Sequence, residues 1–274
     1  QKPIRATTPE RGSVRPDMRR RSLVLGAVAA FAAAGCSRSG GTQPAPAGTV
    51  ALPTGPAPVV AWSLTGGYLS AGRLALRPPR LAIYADGSVI ADATYRSDLT
   101  SATIADLITQ LQTDLHGTDV TWRSDEIAQV VDAPVTVRTI RSTQGSQVTS
   151  AAAVDELRAK NGYPAELYDA LDRLPGIHQR VVTAGQPYTS TRVRLVTEPG
   201  STAPTPPQPW PSTLAMPQRQ GMGGARLDDL DDQRAREAVR TVTRDVELNG
   251  AWTGYRTPSG EIVRASWRYL LPDE

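Results

Sequence analysis

Sulfur, histidine and phenylalanine are scarce here: the 274 residues hold one cysteine, two histidines and one phenylalanine. A lone thiol excludes an intramolecular disulfide and a cysteine-based metal site, so the fold must be held by its core. Two isolated histidines argue against a zinc site. His116 is expected at a helix end, where its partial positive charge is favourable, and His178 just beyond a Pro-Gly helix stop; both read as capping or surface residues rather than general bases. Also missing are Gly-x-Ser-x-Gly, His-Glu-x-x-His, a phosphate loop and Gly-x-Gly-x-x-Gly, while Gly221-Met222-Gly223-Gly224 follows a polar stretch and reads as a mobile turn. No motif marks a catalytic residue, and no cofactor or metal is expected. The longest apolar run, Leu23 to Ala34, is about a dozen residues, where a membrane span needs about 20.

That short run is still informative, because Met18-Arg19-Arg20-Arg21-Ser22 precede it and Gly35-Cys36 follow. Arginines held at a headgroup surface let a short apolar segment enter the bilayer as a hairpin, the order of a removable targeting signal. Ala33-Ala34-Gly35-Cys36 resembles the lipobox of bacterial lipoproteins, although that family prefers Leu where Ala33 stands. The resemblance implies cleavage before Cys36 and attachment of a diacylglycerol to its thiol, with acyl chains such as palmitate holding the protein to a membrane at roughly 0.8 kcal/mol per buried methylene. Arg20-Arg21-Ser22-Leu23-Val24 is also similar to a twin-arginine signal, so both export routes stay open. Residues 1–17 read as a disordered leader or mis-assigned start, 18–35 as signal peptide and 36–58 as a lipid-anchored linker, too poor in large apolar groups to order itself. The expected location is the extracytoplasmic face of the cell membrane.

Charge then changes sign. The whole chain is formally +3, yet beyond residue 35 there are 23 Lys and Arg against 25 Asp and Glu. The concentrated cationic surface that nucleic-acid binding needs is thereby lost, and no nucleic-acid partner is expected.

Residues 59–274 should form an α+β globular domain of antiparallel hairpins, each followed by an amphipathic helix, as one compact domain or two small subdomains dividing near 184–190. Val59 to Leu64 reads as a strand, and Leu81–Tyr84 and Ser88–Ile90 as a hairpin over Asp86-Gly87. Ile104, Leu107, Ile108, Leu111 and Leu115 share one helix face, with Thr100 or Ser101 as cap and Gly117 as stop. Val135–Ile140 and Gln147–Thr149 pair next. A helix from Pro164 carries Leu167, Ala170, Leu171 and Leu174 and is expected to end at Pro175-Gly176. Ala235, Ala238, Val239, Val242 and Val246 mark another helix, with Asp228, Asp229, Asp231 and Asp232 as its N-terminal carboxylates. In the last strand Val263, Ala265, Trp267 and Tyr269 should face the core. Arg264 and Arg268 then belong to a solvated face which, with Arg192 and Arg194, is the one candidate basic surface.

Trp62-Ser63-Leu64-Thr65-Gly66-Gly67-Tyr68, Arg80-Leu81-x-Ile83-Tyr84-x-Asp86-Gly87-x-Val89-Ile90, Trp210-Pro211 and Leu270-Leu271-Pro272-Asp273-Glu274 resemble landmarks of actinobacterial secreted proteins and lipoproteins of uncharacterised activity, a kinship that fits the rarity of lysine. Gly66-Gly67, the Asp86-Gly87 hairpin and the following helix are also similar to the start of emfourin-type protease inhibitors. These patterns give three expectations: a non-enzymatic envelope module binding a protein or polymer, an extracellular protease inhibitor, or a hydrolase with dispersed carboxylates. Trp210, beside the proline-rich 205–211 segment, and the Gly66-Gly67 turn are the candidate partner-binding positions, and Cys36 the lipidation site.

Overall fold

The computed structural model of the chain describes residues 51–115, 120–122, 124, 132–200, 206–245 and 252–274. The expectations for Cys36, His116, Gly117 and Val246, for residues 1–35 and for the linker up to residue 50 lie outside the described residues. The class is α+β, with mixed sheets. The first sheet contains β1 (Val60–Gly66), β2 (Leu81–Ile83), β3 (Ser88–Ala91), β4 (Tyr95–Asp98), β5 (Val120–Trp122), β6 (Pro134–Ser142), β7 (Gly145–Ala152) and β8 (Gln186–Pro187), in the order β5-β7-β6-β1-β2-β3-β4-β8. Its pairings are antiparallel except β5 with β7. Between β2 and β3 the chain reverses at Gly87, whose φ of 98° suits glycine, and the Asp86 carboxylate accepts from the Ser88 amide at 2.9 Å.

Helices α2 (Ser101–Asp114) and α4 (Ala165–Ala184) cover one face of this sheet, and α3 (Val154–Arg158) precedes α4. Thr100 caps α2 by accepting from the Thr103 amide at 3.2 Å. The 3.6-residue spacing of Ile104, Ile108 and Leu111 sets them against Leu167, Leu171 and Leu174 of α4 and against Val60, Leu81, Ile83 and Val89 of the strands.

The helix from Pro164 does not end at Pro175-Gly176; α4 runs on to Ala184 with Pro175 inside it, and His178 is therefore a helical residue. The reason lies in a neighbouring strand. Proline at 175 removes the amide that would bond Leu171 O one turn earlier, and the Arg138 guanidinium of β6, 1% exposed, donates to that carbonyl at 3.1 Å. Burial pushes Arg138 down to about 9. Pro175 itself is exposed, so Pro175→Ala restores the helical bond without opening a cavity. It is expected to stabilise the protein by about 1–3 kcal/mol in chemical denaturation; a loss of stability would show that the ring is needed where it stands.

The second sheet holds β9 (Arg192–Pro199), β10 (Gln208–Pro209), β11 (Arg219–Gln220), β12 (Arg226–Asp231), β13 (Gly254–Arg256) and β14 (Ile262–Tyr269), in the order β10-β13-β14-β9-β12-β11. Helix α5 (Asp232–Thr241) buries Ala235 and Ala238 with Val193, Leu195, Val263, Ala265 and Trp267. Helix α1 (Ala71–Leu76) packs on β9, where Leu76 joins Val196, Ala225 and Trp252 in a separate cluster. Close approach depends on Gly72, since a Cβ there would lie 2.7 Å from the Glu198 carboxylate.

Several sequence expectations are corrected here. The hairpin-then-helix order is not uniform: α5 follows β12, which pairs with β9 and β11, and the β13–β14 hairpin is followed by no helix among the described residues. Asp228 and Asp229 lie on β12 rather than in a helical first turn, and Asp231, at the N-cap position, makes no side-chain cap bond, whereas Asp232 does stand in the first turn of α5. Their register explains it, setting Asp229 opposite Arg194 and Asp231 opposite Arg192. The basic surface is absent because its arginines are matched: Arg192 to Asp231 (2.8 Å), Arg194 to Asp229 (2.7 Å), Arg264 to Glu198 (3.1 Å) and Arg268 to Glu274 (2.5 Å). Arg268 is 5% exposed, so the second face of β14 is not solvated. Finally, the end of the expected linker docks: Leu52 packs on the first core, and Arg141 donates to Ala57 O at 2.9 Å.

The chain leaves the first sheet at Pro187 and enters the second at Arg192, and both sheets belong to one compact unit. Strand alternation makes this union possible. Leu81, Ile83 and Val89 face the helices while Ala82, Tyr84 and Ile90 turn the other way, to meet Tyr188, Tyr269 and Leu271. Tyr84 Oη donates to Asp273 (2.8 Å) and Tyr188 Oη to Leu270 O (2.8 Å); burial holds the Tyr84 hydroxyl far above its ordinary range.

Candidate functional site

A cavity of about 450 Å³ opens where the two sheets meet. The end of β1 and the end of α1 supply Leu64, Leu76 and Arg77, the turn between β3 and β4 supplies Asp92 and Thr94, and the chain after α5 supplies Arg244 and Asp245. Trp252 and, from β14, Trp267 and Arg268 complete the opposite wall.

The β3–β4 turn is unusual in its backbone. Asp92 and Ala93 have φ of 50° and 47°, left-handed conformations in which a non-glycine residue is strained. The Thr94 amide closes the turn onto Ala91 O (2.9 Å), and the Thr94 hydroxyl donates to Asp92 O (2.9 Å). The result presents Ala93 O and Thr94 Oγ1 to Arg244, which reaches them through Nη2 at 3.2 and 3.0 Å. Arg244 also lies over the rings of Trp267 (5.2 Å) and Tyr269 (5.3 Å), contacts that fix the plane of its fork. Across the cavity Arg77 Nη1 donates to Gly66 O (2.7 Å) and Leu64 O (3.4 Å). Burial pushes both guanidiniums below their ordinary range.

A second cluster continues from this wall. Asp92 Oδ2 lies 2.6 Å from His178 Nε2 and Asp92 Oδ1 lies 3.4 Å from Arg80 Nε. The His178 ring meets Trp62 edge-on at 5.9 Å, and Arg80 sits 5.8 Å from the same indole. His178 is thus a buried helix residue with a carboxylate partner, in place of the surface residue expected after a helix stop, because α4 continues through Pro175.

Of the positions singled out in the sequence, Gly66 ends β1 and Gly67 follows it, with φ of 65° and 85°, and Gly66 touches the cavity's frame through Arg77. Trp210 is corrected: it is 7% exposed, its Nε1 donates to Leu214 O at 2.6 Å, and it stacks edge-on with Tyr255 in the second core. A different cavity, of about 400 Å³, borders it with Pro207, Pro209 and Arg256. Gly221 to Gly224 form a turn including a short 3₁₀ segment at Met222–Gly224, with Gly223 against Ala71.

Sequence reading missed Arg77, Arg80, Asp92, Arg244 and Asp245. No spacing relates them, since Asp92 and Arg244 lie on different sheets' connections and meet only in the folded chain. The one local hint was Asp92-Ala93 just beyond the strand-like run Ser88–Ile90, a place for turn chemistry.

Among the described residues no group of three or more His, Cys, Asp or Glu side chains could hold a metal ion, and no helix is long and apolar enough to cross a membrane. No family model, curated protein or solved structure matches the chain.

Proposed function

We propose that the chain is a lipid-anchored extracytoplasmic binding domain whose ligand seat is the cavity between the two sheets. The observation that carries this reading is the pair Arg77 and Arg244, which line that cavity and are held in place by carbonyl and hydroxyl oxygens rather than by carboxylates. The cavity's size falls in the usual range of small-ligand sites, about 300–1,000 Å³. A hydrolytic reading would rest on the cavity's two carboxylates, Asp92 and Asp245, and both oxygens of Asp92 are engaged by Arg80 and His178. The protease-inhibitor reading keeps one supporting feature: Tyr68, 89% exposed, follows the Gly66-Gly67 turn that Arg77 pins.

Attachment rests on Cys36 and the charge order before it. Cys36→Ala is expected to move the protein from the membrane fraction to the soluble one, or to leave an unprocessed precursor; an unmodified Cys36 in mature, membrane-bound protein would refute the anchor. For the seat, native mass spectrometry of protein purified from its own membranes should find a small molecule retained at one per chain. Hydrogen exchange should then slow at Thr94 and Arg244 when that molecule is restored. Unchanged exchange at both positions with envelope extract added would refute the cavity as the seat.

A further inference from the structure

The arginines around the cavity divide into two groups. Arg80 is paired with Asp92 and Arg268 with Glu274. Arg77 and Arg244 have no carboxylate within 4 Å among the described residues, and their hydrogen bonds run through a single terminal nitrogen each, Nη1 of Arg77 and Nη2 of Arg244. Their Nε atoms are buried without an acceptor. A guanidinium taken from water without a counter-charge is costly unless something else supplies the missing acceptors. Arg138, also buried without a bonded carboxylate, has its explanation in the carbonyl orphaned by Pro175; Arg77 and Arg244 have no such debt to settle, and both line the open space. The lining as a whole sets four guanidiniums, those of Arg77, Arg80, Arg244 and Arg268, against the two carboxylates of Asp92 and Asp245. The remaining walls are apolar, with Leu64, Leu76, Trp252 and Trp267 around them.

We propose that this cavity binds a small organic carboxylate, with Arg244 and Arg77 holding the anionic head and the leucine and tryptophan side chains covering a compact apolar body. The inference rests on the cavity being the ligand seat and adds the chemical class of what sits there. Arg244 suits the head group for a specific reason. Its fork is held in one orientation by the turn oxygens and two aromatic rings, so little freedom remains to be lost when a carboxylate docks.

Benzoate is the probe, with benzyl alcohol, benzylamine and inorganic phosphate as comparisons, each titrated into the full chain by calorimetry while tryptophan fluorescence is followed. Benzoate should bind at least about tenfold more tightly than the alcohol or the amine and change the emission of Trp252 and Trp267. Arg244→Gln should weaken benzoate by about 10–100-fold, the loss of a charge-assisted bond, and Arg244→Lys by less. Arg77→Gln provides the same test on the other side of the cavity should Arg244→Gln not fold. Arg236→Gln, on the exposed side of α5, should leave the affinity unchanged. Benzylamine or benzyl alcohol binding as tightly as benzoate would overturn the carboxylate class and leave the seat standing. Phosphate binding in preference to benzoate would overturn the organic-anion reading, again leaving the seat. If none of the four binds, or if benzoate binds equally to both arginine variants, the proposal is overturned; silence from all four probes counts against the seat as well.

Discussion

Trp267→Ala is expected to lower stability by about 3–5 kcal/mol, the range for removing a buried aromatic from a core. The indole is 5% exposed and packs with Val263, Ala265 and Tyr255. Two further losses add to the cavity. Its Nε1 donates to Val242 O at 2.8 Å, so truncation orphans a carbonyl at the end of α5, and Arg244 loses one of the two rings over which it lies. Trp267→Phe separates these effects, since it keeps most of the packing and deletes the donor. It should cost about 1–3 kcal/mol. The measurement is the urea midpoint of each variant at constant slope. A Trp267→Ala protein as stable as the parent would mean that β14 does not bury this face.

The other large effect is expected at Arg268. Read as one of the solvated residues of an alternating strand, it should tolerate truncation; the structure gives the opposite expectation, about 3–5 kcal/mol lost on Arg268→Ala, the cost of breaking a buried ion pair. Its two terminal nitrogens donate to Glu274 at 2.5 and 2.6 Å, and the Glu274 carboxylate also accepts from the Leu271 amide. Replacing both partners, as Arg268→Met with Glu274→Gln, should restore much of the loss, because no lone charge then stays buried. A pH series adds an independent check. Burial alone would raise the Glu274 carboxyl, but the Arg268 bond and charge, with Leu271 N–H and Arg194, outweigh it and hold the group below its ordinary 4.5. The unfolded chain therefore binds the proton more readily, and the stabilisation is fully present above about pH 4.5 and fades as pH falls through the folded-state value. The stability gap between the parent and Glu274→Gln should be flat near neutrality and close on acidification. A gap independent of pH would exclude this linkage.

What could be read from sequence was set by local rules. Ile104, Ile108 and Leu111 declare their helix face by spacing, Thr100 or Ser101 its start, of which the structure uses Thr100, and Asp86-Gly87 a turn with one cheap conformation. Val263, Ala265 and Trp267 declare one face of β14 in the same way. The opposite face was illegible because Arg264 and Arg268 look solvated until Glu198 and Glu274 arrive from elsewhere to neutralise them. Pro175 was misread for a related reason: its rescue comes from Arg138, 33 positions away from the carbonyl it serves. Trp210 read as a partner-binding position beside prolines, yet its ring is buried against Tyr255. The cavity was hardest of all, since its paired features, Asp92 with His178 and Ala93 with Arg244, are separated by 86 and 151 residues.

The contacts of Leu271 and Asp273 with the first sheet impose an order in time. A chain made or translocated from its N-terminus completes every strand of that sheet by Pro187, yet the face bearing Ala82, Tyr84 and Ile90 keeps its permanent cover waiting until the residues around 271 emerge. During that interval an apolar sheet face is bare, a setting in which nascent chains associate wrongly. The early half therefore lacks its native packing on that face until Tyr269 and Leu271 arrive, and docking of this late segment becomes the step that completes the first sheet.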